Sequence, residues 1–231
     1  MNRKTKISLA VAGLALAALA CQAVTDTGDD EGDVDPNAPT STPRPRVIFS
    51  DDFREQTWGT GTDSDSSVEY ANEALQMIVY TPNWFVWSTP NTEEYQNIQI
   101  EVTVTNNDTD STTAFGIMCN QQEVRDDFYY FAVTPAGEYA IAKASEGQRD
   151  VFLTNEDQWA VSELIPQEAA SYNVGADCGN GTLTLYVNSQ QIASVSDSSY
   201  ISGTVALFVF SGEEATTTDV SFDDFLIMEL P

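Results

Sequence analysis

The residues able to do chemistry are one-sided. None of the 231 residues is a histidine, which removes serine–histidine–acid triads, imidazole general bases and histidine zinc sites at a stroke. The three cysteines, Cys21, Cys119 and Cys178, are too far apart for a metal knuckle. Acid–base work therefore falls to carboxylates, of which there are 36 against nine lysines and arginines. Oxygen-rich acidic turns such as NNDTD at 106–110 and GTDSDSS at 61–67 are the kind of surface a hard cation visits, but solvation alone accounts for them. The same charge balance speaks against nucleic acid as a partner, because phosphate binding needs a basic patch that this chain lacks.

The elements that must position these groups are strands. From Val47 onward short apolar runs recur about every ten residues, separated by turns such as ANE, PAGE and GNG. In IQIEVTVT, Ile98, Ile100, Val102 and Val104 share one face, and Gln99, Glu101 and Thr103 share the other. Such alternation predicts antiparallel strands with one wet face and one dry one. No fixed-period repeat is present. The chain reads as all-β, a two-sheet antiparallel β-sandwich over residues 47–231.

Two segments precede it. Residues 1–20 have a basic start (Arg3, Lys4, Lys6) and an uncharged apolar run from Ile7 to Ala20, the layout of a signal peptide. That run is shorter than the roughly 20 residues a spanning helix needs. Ala18-Leu19-Ala20-Cys21 resembles a bacterial lipobox, which implies cleavage before Cys21 and lipidation of it; a plain signal peptide cut near Ala20 is the alternative. The predicted location is extracytoplasmic, with the membrane reached through the lipid only. Residues 21–46 carry six acids between Asp26 and Asp35 and then a Pro/Ser/Thr stretch, which predicts a disordered tether reaching on the order of 80 Å. Without the leader, only Arg44, Arg46, Arg54, Arg125, Lys143 and Arg149 oppose the acids. In an oxidising compartment Cys119 and Cys178 are predicted to pair, closing a loop of about 60 residues for roughly 4 kcal/mol.

The order of motifs in the main body is similar to the concanavalin A-like lectin/glucanase jelly rolls, and in particular to laminin-G-like and keto-disaccharide-hydrolase-like domains of bacterial surface lipoproteins. The resemblance is carried by SDDF at 50–53, AFGIMCNQQ at 114–122, DFYYFAVTPAGEYAIAK at 127–143, LTLYVN at 183–188, DSSYISGTVAL at 197–207 and VSFDDFLI at 220–227. It implies a jelly roll with a possible structural calcium near the chain ends, where Asp223 and Asp52 are the candidate ligands. It also implies sugar recognition through aromatic faces and planar polar groups. The candidates are Trp84, Trp87, Tyr130 and Trp159, with Asn120 and Arg125 as polar partners. Asn120 stands where many relatives carry an arginine. Alternation separates Tyr130 and Phe128 from Tyr129 and Phe131, so one tyrosine belongs to the core.

Jelly-roll endo-glucanases carry an E-x-D-x-x-E strand, and the nearest approach here is Glu123, Asp126 and Asp127 in QEVRDDF. The rest of that motif is missing. The expectation from sequence is therefore noncatalytic recognition of a glycan or an extracellular protein partner, leaning against an enzyme. A glycosidase-like hydrolase and a structural cell-surface protein are the alternatives.

Overall fold

A computed structural model describes residues 45–108, 110–123, 126–213 and 217–230. The signal peptide, Cys21, the tether up to residue 44 and Arg125 lie outside the described residues. In chain order the strands are β1 (Val47–Asp51), β2 (Gly61–Thr62), β3 (Ser66–Ala71), β4 (Ala74–Val79), β5 (Phe85–Ser88), β6 (Ile98–Asn106), β7 (Ala114–Gln121) and β8 (Phe128–Val133). They continue as β9 (Glu138–Ala144), β10 (Val151–Phe152), β11 (Ala160–Val161), β12 (Ser171–Gly179), β13 (Thr182–Val187), β14 (Gln190–Ser196), β15 (Thr204–Phe210) and β16 (Thr218–Glu229). All pairs are antiparallel, and they form two sheets packed face to face as a jelly-roll β-sandwich.

One sheet runs β14-β13-β12-β6-β16-β4-β3-β2, with β1 added beside β16. The other runs β10-β9-β8-β7-β15-β5, with β11 added beside β9. Strand β16 serves two neighbours on one side. Its first half, Thr218 to Phe222, pairs with β4, and its second half, from Phe225, pairs with β1. The switch falls at a bulge between Asp223 and Leu226, where Asp224 takes a left-handed φ of 52°.

The alternation in β6 is fully expressed: Ile98, Ile100, Val102 and Val104 are buried while the residues between them are partly exposed. They meet Phe115, Ile117, Tyr129, Phe131 and Ile141 of the facing sheet in one core. Cys119 on β7 and Cys178 on β12 are bonded across this core, with Cα atoms 6.6 Å apart and both side chains out of contact with solvent.

The outer face of the smaller sheet is not polar, which separates it from an ordinary solvated face. Ala114, Met118, Tyr130, Ala132, Ala140, Ala142, Ala206 and Phe208 form a second apolar cluster there, flanked by Phe85, Phe128, Phe152, Trp159 and Phe210. Alanines on β7, β8 and β9 lie between aromatic side chains of β5, β8, β10 and β15, which leaves a groove across this face. Gly116 is part of the design, because a Cβ at that position would meet the Phe131 carbonyl oxygen at 1.9 Å.

Candidate functional site

The outer face of the smaller sheet holds a groove of about 470 Å³, within the range of roughly 300–1,000 Å³ typical of small-molecule sites. Its floor is laid out by strand register. Tyr130 on β8 stands opposite Ala142 on β9, and Ala142 in turn stands opposite Phe152 on β10. In the next rows Phe208 pairs with Gly116, and Phe210 with both Ala114 and Phe85. The rings interlock: Phe85 stacks on Phe208 at 4.9 Å between centroids and 16° between planes, and Phe152 meets Trp159 edge-on at 5.4 Å.

Polar atoms gather at the β10 end. The turn after β9, closed by the Gln148 N–H on the Ser145 carbonyl, brings Arg149 and Asp150 to the rim of the groove. Tyr130 donates its hydroxyl to Asp150 Oδ2 at 3.0 Å. Burial raises Asp150 above the usual carboxylate range, against the lowering effects of the Tyr130 hydrogen bond and the Arg149 charge. Burial also raises Tyr130, assisted by the negative charge of Asp150.

Asp157 behaves in the opposite way. Its Oδ2 accepts from the Arg149 guanidinium and its Oδ1 accepts the Phe152 N–H at 2.8 Å. These bonds, that from Arg149 foremost, hold Asp157 below the usual range. The loop that carries it is wound left-handed at three successive residues, with φ of 46°, 53° and 65° at Asn155, Glu156 and Asp157. Such a run in non-glycine residues is uncommon and costs free energy. The Asn155 Nδ2 bond to the Trp159 carbonyl at 2.6 Å spans this loop and places the indole at the groove.

The sequence candidates are distributed unevenly about this site. Tyr130 and Trp159 line the groove, whereas Tyr129 and Tyr139 pack against the core between the sheets. Trp84 and Trp87 stand 39% and 43% exposed at the β5 edge; Trp87 lines a separate shallow concavity with Gly59–Asp63. Asn120 lies apart from the groove. It is buried with a φ of 53°, its Nδ2 donates to the Tyr200 carbonyl at 3.0 Å, and it lines a small cavity with Asn97 and Asn180 away from the aromatic groove. Gln122 Nε2, two residues on, donates to the Ser202 carbonyl at 2.8 Å, so the end of β7 is tied to the Tyr200–Ser202 segment at two points.

Glu123, Asp126 and Asp127 fall between β7 and β8, and Asp127 Oδ1 is taken by the Glu146 N–H at 2.7 Å. None of the three lines the groove. The groups that sequence reasoning missed are Asp150, Arg149 and Asp157, together with the flanking phenylalanines. Their signal was weak: Arg149 is one of only six bases outside the leader, and Asp150 adjoins it.

The calcium candidates do not assemble a ligand set. Asp52 is engaged by Arg54 at 3.4 Å, and Asp223 Oδ1 accepts the Asp224 N–H at 2.8 Å. Among the described residues no group of three or more ligating acids, cysteines or histidines forms around either position, whereas calcium takes six to eight oxygens.

No protein-family model matches the chain, and no curated protein matches it. Solved structures do. A carbohydrate-binding module, CBM66, from Bacillus subtilis superposes with a TM-score of 0.59 at 12% identity, covering 76% of this chain and 98% of the module. The laminarinase catalytic domain of Thermotoga petrophila gives 0.56 at 11% identity, covering 81% and 99%. An endo-acting O-glycanase structure from members of the human gut microbiota gives 0.58 at 10% identity, covering 80% and 100%. At these identities the likeness shows the concanavalin A-like jelly-roll fold. The leaning against an enzyme is corrected to this extent: glycan-cleaving enzymes, β-glucanases among them, share the fold with the binding module, so the fold gives no preference for binding without catalysis. Among the described residues no helix is long and apolar enough to cross a membrane.

Proposed function

We propose that this chain is a glycosidase-like hydrolase whose site is the β10 end of the aromatic groove. The observation that carries this reading is geometric: Asp150 stands at the rim of the aromatic groove with its Oδ2 held by the Tyr130 hydroxyl at 3.0 Å, where burial raises its hold on a proton. A carboxyl group whose hold on its proton is raised by burial is suited to the role of general acid. Asp150 is the general acid. Tyr130 binds its Oδ2, which leaves Oδ1 to carry the proton to the glycosidic oxygen as the bond to the anomeric carbon breaks. Asp157, outside the groove lining, holds the Arg149 guanidinium and the Phe152 N–H and so fixes the rim, while water bonds to the anomeric carbon and gives its surplus proton to solvent. Trp159 and Phe152 supply the aromatic faces on which a pyranose ring lies. The glycan-cleaving enzymes that share this fold support the reading.

The test is turnover by the full chain on laminarin, mixed-linkage β-glucan, mucin O-glycans and aryl β-glycosides. At least one is cleaved, and Asp150→Asn lowers kcat by about 10² or more. Absence of turnover on all of them, or an Asp150→Asn variant as active as the wild type, overturns the reading.

We also propose that the domain works outside the cytoplasm, held to a membrane by lipid on Cys21 through the acidic tether. The basic start, the short apolar run and the lipobox-like ALAC support this. Intact mass and fractionation decide it: Cys21→Ala moves the protein from the membrane fraction to the soluble one, and an unmodified Cys21 in the membrane-associated protein refutes it.

A further inference from the structure

The two ends of the groove differ in chemistry. Asp150 and Arg149 stand at the β10 edge of the sheet, while the opposite arm, at the β5 edge, is walled by Phe85, Phe208 and Phe210 over Ala114. None of these four side chains carries a donor or acceptor. The backbone of Phe208 lies inside the sheet, within the β5–β15 and β15–β7 ladders, whereas β5 is the edge strand. A sugar hydroxyl placed over these four side chains finds no side-chain partner, and a buried hydroxyl without a partner is costly. Further glycan units, each bringing several hydroxyls, are therefore poorly matched to it. A hydrocarbon segment is well matched, because Phe85 and Phe208 stack into one continuous wall.

We propose that this arm binds the apolar aglycone of an amphiphilic glycoside, an alkyl or acyl chain, with the sugar head at Asp150 and Arg149. Naming the head a sugar rests on the hydrolase reading above; the apolar occupancy of the arm rests on its lining alone. The polarity runs in one direction along the groove, so it orients the ligand: the bond between head and chain lies toward Asp150, and the chain points to β5. Cleavage there breaks the bond between the anomeric carbon and the aglycone oxygen: Asp150 gives its proton to that oxygen, which leaves as the alcohol, while water bonds to the anomeric carbon and its surplus proton passes to solvent, from which Asp150 is reprotonated. The substrate class is thus a glycolipid or other alkyl glycoside rather than a long polysaccharide threaded through the groove.

The experiment uses the full chain with hexyl, heptyl and octyl β-D-glucopyranoside below their micelle concentrations, and with octyl β-D-thioglucopyranoside, which resists cleavage. Binding is followed by tryptophan fluorescence and calorimetry. Each added methylene is expected to tighten binding about two- to fourfold, and Phe210→Ser, in a variant shown by circular dichroism to be folded, to weaken the octyl compounds by tenfold or more. Ala132→Leu, which fills the floor, is the second variant and has the same expected effect. Equal affinity across the chain-length series, or octyl binding indifferent to both substitutions in folded protein, overturns the proposal. Chain-length-dependent binding without cleavage of any glycoside sustains the apolar arm and refutes hydrolysis. Cleavage of a polysaccharide with a flat alkyl series does the reverse.

Discussion

Tyr130 donates its hydroxyl to Asp150 Oδ2 at 3.0 Å, linking the floor of the groove to its rim. The two residues lie on opposite sides of β9, since Tyr130 pairs with Ala142 on that strand and Phe152, two residues after Asp150, pairs with the same alanine. The bond sets both the position of the carboxyl group and its proton affinity. Burial raises Asp150, while this bond and Arg149 pull it back.

Tyr130→Phe removes one of the two lowering influences, so Asp150 holds its proton to a higher pH. For a general acid that is active when protonated, the alkaline limb of the rate profile then moves up. The measurement is kcat/KM against pH for the wild type and Tyr130→Phe. An unmoved limb would show that Asp150 is not the group being titrated.

Asp150 also makes stability depend on pH. The folded form holds its proton more tightly than the unfolded chain, whose carboxyl has the ordinary value of 3.8. Its contribution is therefore most favourable below 3.8 and is lost as pH rises through the folded value. Asp150→Asn has no such charge to bury. Its melting temperature relative to wild type should be higher at about pH 7 than at about pH 3, with a sign that favours the variant more as pH rises. A difference independent of pH contradicts this.

Much of the scaffold was legible because strand period and burial coincide. Ile98 to Val104 announced their dry face in the sequence, and Tyr129 and Tyr130 had to point opposite ways. The site was not legible for a related reason. Asp150 looks like any of 36 acids until β8, β9 and β10 stack in register and cover it, and those contacts are not local. The place of Asn120 was not legible either: its left-handed backbone turns its Nδ2 toward the Tyr200 carbonyl, at a small polar cavity apart from the groove. Trp87 looked suited to stacking, yet Phe85, two residues earlier, is the β5 ring that reaches the groove.

The Cys119–Cys178 bond joins the two sheets across a sequence separation of 59. By the chain-entropy argument its reduction costs about 4 kcal/mol, a drop of roughly 10 °C in melting temperature. Calorimetry with and without reductant, with thiol counting to confirm opening, measures it. A melting temperature unaltered in fully reduced protein would show that core packing alone fixes the sheets.

Gly116→Ala tests how the groove floor is made. The added Cβ would meet the Phe131 carbonyl oxygen at 1.9 Å, and Phe131 belongs to the adjacent strand of the same sheet. Backbone cannot yield as a flexible side chain does, so β7 and β8 must separate locally. The expected loss is about 1–3 kcal/mol or more in chemical denaturation, with Ala114→Ser, at the edge of the same face, as a milder comparison. Equal stability of Gly116→Ala and wild type would mean that the two strands adjust freely.

Asp197 gives the fold a second, opposite pH dependence. Its carboxylate accepts from the Tyr129 hydroxyl, from the Ser199 N–H at 2.8 Å and from Lys143 Nζ at 3.0 Å, and Tyr129 in turn accepts the Tyr200 N–H at 3.1 Å. Burial pushes Asp197 upward, but the hydrogen bonds from Ser199, Tyr129 and Lys143 outweigh it and hold the group well below the ordinary 3.8. Burial and the same carboxylate push the Tyr129 hydroxyl up to about 12. Because the folded form binds the Asp197 proton more weakly than the unfolded chain, its stabilisation is present above 3.8 and is lost as pH falls through the folded value. Asp197→Asn keeps the shape and removes the charge, so its cost should be full at about pH 7 and shrink progressively as pH falls below 3.8. Tyr129→Phe deletes one donor at a buried site and should cost about 1–3 kcal/mol near neutrality. Urea denaturation of both variants across that pH range checks the pair. If Asp197→Asn costs as much in acid as at neutrality, the loss comes from packing and not from the carboxylate.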